Sequence, residues 1–182
     1  MDNLPSIGQR LYLREVRLTD VGERYYSWLN DSEVNRYLET RFIPRSCENI
    51  IDYVKRLDGK DNEPFFAICL KKNDLHIGNI KLGPINWYHR TADVSLFIGE
   101  KSLWGQGYAA EAISMITDFA FRELNLNKLK AGSYEANRGS IKAFEKSGYQ
   151  REGLLRSHVI SEGKEMDVVL LGILAKEFIG LT

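Results

Sequence analysis

The stretch WGQGYAAEA, residues 104–112, decides how the rest of the chain is read. It places Gly105 and Gly107 one residue apart and then runs into a string of helix formers. Glycine is the residue for backbone that must turn with φ > 0 or lie close against a ligand. The first amides of a helix have no intrahelical acceptor, and the helix dipole favours negative charge there. A glycine turn opening a helix is therefore an anion site in outline.

Three readings of the turn follow from the residues alone. Gly105-x-Gly107-x-x-Ala110 satisfies the dinucleotide-binding fingerprint. In that fold, however, the first glycine follows its strand directly, inside the first βαβ unit. Here about six residues separate Ile98 from Gly105, and the preceding strands read as antiparallel. A phosphate-binding P-loop would need Gly-Lys-Ser/Thr at its end, and that is absent. The plainest alternative is a tight turn with no ligand.

Working outward, the helix expected over about 107–125 puts Ala109, Ala112, Ile113, Ile116 and Ala120 on one face and Glu111, Ser114, Asp118 and Arg122 on the other. Upstream, PFFAICLKK (64–72), LHIGNIKL (75–82) and DVSLFIGE (93–100) read as three strands with short connections, an antiparallel meander. Apolar residues shift phase around Gly78-Asn79, which predicts a β-bulge. RLYLREVRL (10–18) alternates as a strand. Thr19 is positioned to N-cap a helix carrying Tyr26 and Leu29, and Ser32 to open a short second one. Pro44–Ser46 breaks that segment, and a third helix carries Ile50, Ile51, Val54 and Leu57 before Gly59. Downstream come a strand at 128–135, a helix capped by Asn137 and ended by Gly148, and two long strands joined at SEGK. This is a mixed α+β arrangement over residues 1–182 as one domain.

Composition sets limits. The 182 residues are 43% hydrophobic and 27% charged, with 25 basic and 25 acidic side chains. Zero net charge gives no polyelectrolyte surface for nucleic acid. Cys47 and Cys69 supply neither a disulfide framework nor zinc-ligand spacing, so no metal is expected. No apolar run approaches the roughly 18 residues of a membrane span. MDNLPSIGQR lacks the basic and apolar regions of a signal peptide, so a cytoplasmic protein is expected, without a membrane partner.

WGQGYAAEA followed some 25 residues later by NRGSIKAFEKSGY (137–149) resembles the GNAT superfamily of acetyl-CoA-dependent N-acetyltransferases. The resemblance runs from Arg10 to about Phe178. Residues 104–109 are similar to the family's pyrophosphate motif, Gln/Arg-x-x-Gly-x-Gly/Ala, with Gly107 and Ala109 at its last two defined positions. Trp104 stands where glutamine or arginine is usual, a departure common in the ribosomal-protein N-terminal acetyltransferase branch. The Asn137…Ser140…Gly148-Tyr149 helix resembles that same branch.

The resemblance implies a six- to seven-stranded, mostly antiparallel sheet with helices on both faces. Acetyl-CoA would be the co-substrate, its pyrophosphate wrapped by the backbone of Trp104, Gly105, Gln106, Gly107, Tyr108, Ala109 and Ala110. The helix dipole would add roughly 0.3–1 kcal/mol. A splayed strand, here Val94–Ile98, would present Leu96, Phe97 and Ile98 to the pantetheine and the thioester oxygen, and Asn137 and Ser140 would contact the coenzyme. Lys101, Arg138 and Lys142 are cations within reach of a 3′-phosphate.

Two proton transfers need partners. Asp93 stands where the branch commonly carries an acid and is the expected base, with His89 or water as alternatives. The tyrosine that many relatives use to protonate the thiolate is replaced by Phe144. Ser140, one turn earlier, takes that role in the resemblance, with Tyr134 and Tyr149 in reserve. The acceptor-binding residues expected are Trp28, Arg36, Tyr37, Arg41 and Trp87, whose aromatic and basic character suits a nucleotide-linked amino sugar. A protein N-terminus is the alternative acceptor, and a non-catalytic acyl-CoA-binding module is the alternative of another kind. A monomer or a homodimer is expected.

Overall fold

The computed structural model describes residues 8–43 and 46–180. Seven strands form one sheet in the order β1-β2-β3-β4-β5-β7-β6. They are β1 (Leu11–Glu15), β2 (Phe65–Leu70), β3 (His76–Leu82), β4 (Thr91–Ile98), β5 (Lys128–Tyr134), β6 (Gln150–Ser161) and β7 (Lys164–Leu174). Every neighbouring pair is antiparallel except β4 with β5. The fold is the mostly antiparallel α+β sheet that the sequence predicts.

Helices cover both faces. On one lie α4 (Tyr108–Arg122) and α5 (Arg138–Lys146), packed over Ile77, Ile80, Leu82, Val94, Leu129 and Leu171. On the other lie α1 (Glu23–Asn30), α2 (Ser32–Asn35) and α3 (Cys47–Leu57), enclosing Tyr25, Trp28, Ile50 and Val54 with Phe65 and Phe97. Opposite residues in antiparallel strands share a face. Asn79 opposes Ala67 and Phe97, and Lys81 opposes Phe65 and Ser95, so all of these look toward α1–α3.

The bulge lies one residue ahead of its expected place. The β2–β3 register passes from Ile68↔Gly78 to Cys69↔His76, leaving Ile77 as the extra residue. That shift lets Ile77, Ile80 and Leu82 all be fully buried despite their uneven spacing.

Helix starts differ from the sequence reading where side chains compete. Thr19 lies in a 3-10 turn, Leu18–Asp20, because the Asp20 carboxylate pairs with Arg14 at 2.7 Å and accepts the Arg17 amide at 2.7 Å. Gly22 caps α1 instead. Asp31, not Ser32, caps α2, accepting the Glu33 and Val34 amides. Pro44 and Arg45 lie outside the described residues, while Ser46 caps α3 through the Asn49 amide at 3.1 Å. Helix α4 ends at Arg122, and Asn125 (φ +50°) then turns the chain back. On its supposed outer face Asp118 is buried, bonded to Arg122 at 2.8 Å.

Candidate active site

The glycine turn is built as its residues require. Gly105 (φ +74°) and Gly107 (φ +83°) both occupy the left-handed region, with Gly107 as the N-cap of α4. The first intrahelical bond runs from the Glu111 amide to the Gly107 carbonyl, 3.1 Å. The amides of Tyr108, Ala109 and Ala110 therefore have no intrahelical acceptor. A Cβ on Gly105 would meet nothing within 4 Å, and one on Gly107 only Arg10 Nη2 at 3.6 Å, so the space over the turn is open. Trp104 Nε1 donates to the Ile98 carbonyl at 2.8 Å, and Gln106 Nε2 to the Ser102 carbonyl at 2.8 Å.

Arg10 completes the turn, and sequence reasoning missed it because it lies 96 residues from its partner. Its Nη1 donates to the Gln106 carbonyl at 3.0 Å, its Nε pairs with Glu111 at 2.8 Å, and its guanidinium sits 4.3 Å from the Tyr108 ring centre. The expected phosphate-facing cations are otherwise engaged or peripheral. Lys101 is held by Asp31 at 2.8 Å and Glu33 at 2.5 Å, Arg138 lies 3.8 Å from Glu135, and Lys142 is exposed.

The second component is the splay. Strands β4 and β5 pair from Thr91↔Lys128 to Asp93↔Lys130 and no further. The Gly83 amide bonds the Asp93 carbonyl and the Gly99 amide bonds the Ile77 carbonyl. Backbone groups alternate sides along a strand, so Ser95 and Phe97 also face β3, while Leu96 and Ile98 face the opening toward β5. Leu96 and Ile98 thus present edge amides beyond the last β5 pair, whereas Phe97 contributes its ring, which packs on Tyr25 and Trp28.

A cleft of about 460 Å³ passes through this opening. Val94–Phe97 and Gly132–Tyr134 form its strand walls. Asn137, Ser140 and Phe144 border it on the α5 side, and Tyr37–Thr40, Asn49, Ile50 and Tyr53 on the α1–α3 side. Ser140 is half-buried and its amide donates to Asn137 Oδ1 at 3.2 Å. Tyr134 is 7% exposed; its hydroxyl donates to the Glu39 carboxylate and accepts from Arg41 Nη1 at 2.9 Å. Burial, with the Glu39 carboxylate beside it, raises the Tyr134 phenol above its ordinary value.

The three buried side-chain polar atoms without a partner among the described residues are Thr40 Oγ1, Asn79 Nδ2 and Ser133 Oγ. All three residues line this one cleft. An unsatisfied buried polar group costs about 1–3 kcal/mol, so such a cluster calls for partners from outside the protein, water or a ligand.

The structure gathers some expected residues here and sets others elsewhere. Tyr37, Leu96, Phe97, Asn137 and Ser140 line the cleft. Trp28 does not; its indole is 4% exposed and stands edge-on to His76 and Phe97, a core side chain. Arg36 is exposed and 3.7 Å from Glu162. Arg41 is spent on Tyr134 and on the Leu38 and Ile160 carbonyls. Trp87 and His89 are exposed in the β3–β4 connection, outside the cleft lining. Asp93 also lies outside it, its carboxylate 3.3 Å from Lys130 Nζ, because the strands are still paired at that level. Tyr149 is buried against Phe144 with its hydroxyl 3.0 Å from Thr117 Oγ1, and burial pushes its phenol far up. Glu39 is the carboxylate that does line the cleft.

Residues 10–150 match the model of the acetyltransferase (GNAT) domain. The chain belongs to this family. The GNAT chain is 31% identical over 174 residues to the uncharacterized N-acetyltransferase p20 of Bacillus licheniformis, covering 94% of this chain and 97% of that one. It is 29% identical over 127 residues to the spermidine N(1)-acetyltransferase of Vibrio cholerae, 70% and 72% of the two chains. Among solved structures, the crystal structure of spermidine N-acetyltransferase from Vibrio cholerae in complex with CoA and spermine superposes with a TM-score of 0.84 at 23% identity, over 94% of this chain and 99% of that one.

The GNAT chain is accordingly an acetyl-CoA-dependent N-acetyltransferase. Its residues fit that co-substrate: an open glycine turn whose first helical amides lack intrahelical acceptors, a strand edge unpaired beyond Asp93, and a Ser133 hydroxyl without a partner among the described residues. No helix among the described residues is long and apolar enough to cross a membrane.

Proposed function

We propose that this GNAT enzyme acetylates the primary amine of a small molecule, with a nucleotide-linked amino sugar as the acceptor. The observation that carries the reading is the composition of the cleft on the α1–α3 side. Tyr37 and Tyr53 offer aromatic faces to a sugar ring, and the charged side chains of the lining are Glu39 and Lys81, one of each sign. Lys81 is already paired with Glu63 at 3.3 Å. A balanced, aromatic wall suits a neutral ring bearing one amine better than a flexible polycation, which needs several carboxylates. Arg36, next to Tyr37 in the chain but outside the cleft lining, exposed and 3.7 Å from Glu162, is the cation assigned to a diphosphate that extends beyond the cleft.

The residues divide the work as follows. The turn amides of Gly105–Ala110, with Arg10 behind them, hold the pyrophosphate. Leu96 and Ile98 amides face the thioester oxygen, where oriented backbone donors supply a large electrostatic term. When bound, acetyl-CoA supplies an acyl carbon activated toward a neutral amine. Glu39, rather than Asp93, takes the amine proton, since it is the carboxylate on the acceptor wall. Ser140 holds a proton on the α5 side for the departing sulfur, and the Tyr134 hydroxyl, bonded to Glu39, is the second donor in the cleft.

The test is free-thiol release at saturating acetyl-CoA, compared as kcat/KM across amino-sugar nucleotides, polyamines and Ala- or Ser-initiated peptides. An amino-sugar nucleotide is expected to lead. A peptide ahead by tenfold or more, about 1.4 kcal/mol in transition-state binding, would move the enzyme to the N-terminal acetyltransferase branch. Polyamines ahead by that margin would align it with its spermidine-acetylating relatives.

A further inference from the structure

The orphaned amide of Asn79 has its direction fixed by a neighbour. Asn79 is 1% exposed at the middle of β3, facing α1–α3. His76 Nε2 lies 2.9 Å from the Gly78 carbonyl and 2.8 Å from Asn79 Oδ1. A backbone carbonyl only accepts, so Nε2 must carry the proton. The Asn79 atom facing that N–H must then be its oxygen, which turns Nδ2 the other way. His76 is itself clamped, 5.1 Å from the Trp28 ring and 6.2 Å from Tyr25. Among the described residues Nδ2 has no partner, and Asn79 lines the cleft together with Thr40, whose hydroxyl is also unpartnered among them.

A buried N–H with no acceptor among the described residues is satisfied by an acceptor that enters the cleft from outside the protein. An alkyl polyammonium has none to spare, since its charged nitrogens only donate and the lone pair freed on the reacting amine is the one that attacks the thioester. A hydroxyl or carbonyl oxygen near the reacting amine has one.

We propose that Asn79 Nδ2 is a specificity-determining donor for a neutral oxygen carried next to the acceptor amine, and that His76 is the positioning residue that aims it. The preferred acceptors are therefore oxygen-bearing amines, with a hydroxyl as in an amino sugar or a carbonyl as in an aminoacyl group. The inference rests on the amine-acetylating reading above and narrows its substrate class. Val94–Phe97 close the cleft on the neighbouring strand, so the oxygen and the amine lie within the same opening.

The experiment uses matched amines: trans-2-aminocyclohexanol against cyclohexylamine for a hydroxyl, alaninamide against 3-methylbutan-2-amine for a carbonyl, and spermidine as the oxygen-free polyamine. Thiol release gives kcat/KM, and calorimetry on the CoA-loaded protein gives binding. The quantity read is the oxygenated-to-bare ratio in the wild type divided by that in a variant, in which differing amine basicity cancels. In Asn79→Leu that quotient is expected to reach ten to a hundred, the loss falling more heavily on the oxygenated amines, with the melting temperature not lowered. Asn79→Asp keeps the His76 bond but presents an acceptor, and shifts preference toward spermidine. His76→Phe frees the amide to turn, raising KM for the oxygenated amine while kcat holds.

Which oxygen source the protein uses is read from which pair shows the effect. An equal loss on all amines in Asn79→Leu, or an unchanged ratio, overturns the proposal by showing a structural asparagine. A wild type with no preference within either pair overturns it as well. If no amine is turned over, the acetylation reading fails separately, and the calorimetric ratios still decide whether Asn79 selects oxygen.

Discussion

At the residue scale, two positions have effects that can be separated from folding. Gly107→Val places a branched side chain in left-handed backbone, at roughly 1–2 kcal/mol of strain, and fills the space over the turn. The expected outcome is a folded protein whose KM for acetyl-CoA rises at least tenfold; unchanged affinity would remove the turn from the coenzyme site. His76 is held below its ordinary imidazole value by burial, with Asn79 and Asp20 opposing and Arg14 assisting. In the unfolded chain the same imidazole titrates near pH 6.5. The unfolded state therefore binds more protons below that pH, so stability is complete above about 6.5 and falls as pH drops beneath it. His76→Gln should lose less stability than the wild type between pH 7 and pH 5, read by urea unfolding at each pH. Much of this scale was legible in the chain: the glycines, Asn137 and Ser140 announce themselves by type and spacing. Asn79 did not, because an asparagine inside an apolar strand is a flag only once its burial and its missing partner are known.

At the element scale, helix α5 shows how one segment serves both packing and chemistry. Ile141, Ala143 and Phe144 bury one face, while Asn137 and Ser140 border the cleft from its first turn. Ser140→Ala should lower kcat more than it weakens acetyl-CoA binding, since the Asn137 cap uses the Ser140 amide and not its hydroxyl. A loss confined to binding would make Ser140 a coenzyme contact alone. The junction after β4 offers a second test. A Cβ on Gly99 would come within 2.1 Å of the ring of Trp28, which is buried, so something must shift to admit it. Gly99→Ala should cost about 1–3 kcal/mol by overpacking, measured by chemical denaturation. Trp28, an attractive acceptor-binding residue on composition, is a core residue that packs among Tyr25, His76 and Phe97, with Gly99 leaving room for its ring. Periodicity located α1 within a few residues, but which of its aromatics turned inward depended on Gly99, 71 positions away.

For the whole molecule, the coenzyme would bridge the α4 turn, the β4 edge and α5, elements joined otherwise through the sheet. Ligand that binds only the folded chain stabilises it by about 2.7 kcal/mol at a hundredfold excess over Kd. For a chain of this size that corresponds to an upward melting shift of roughly 5–10 °C. Gly107→Val, with affinity weakened tenfold or more, should cut that shift to about half or less at the same CoA concentration, which thermal unfolding with and without CoA checks directly. The sequence by itself determined the element order, the antiparallel meander, the phase slip on β3 and the glycine turn. Each of these is a local matter of side-chain period or backbone freedom, written in consecutive residues. The tertiary structure alone decided which carboxylate and which donor line the cleft and which cation stands at the glycine turn. Asp93 was withdrawn because β4 and β5 are still paired at its level, and Lys101 because Asp31 and Glu33 reach it first. Arg10, Glu39 and Asn79 were brought in from three other segments. A charge or a donor is committed by whatever lies within about 3 Å of it, and that company is set by sheet register and strand splay, which no stretch of sequence contains.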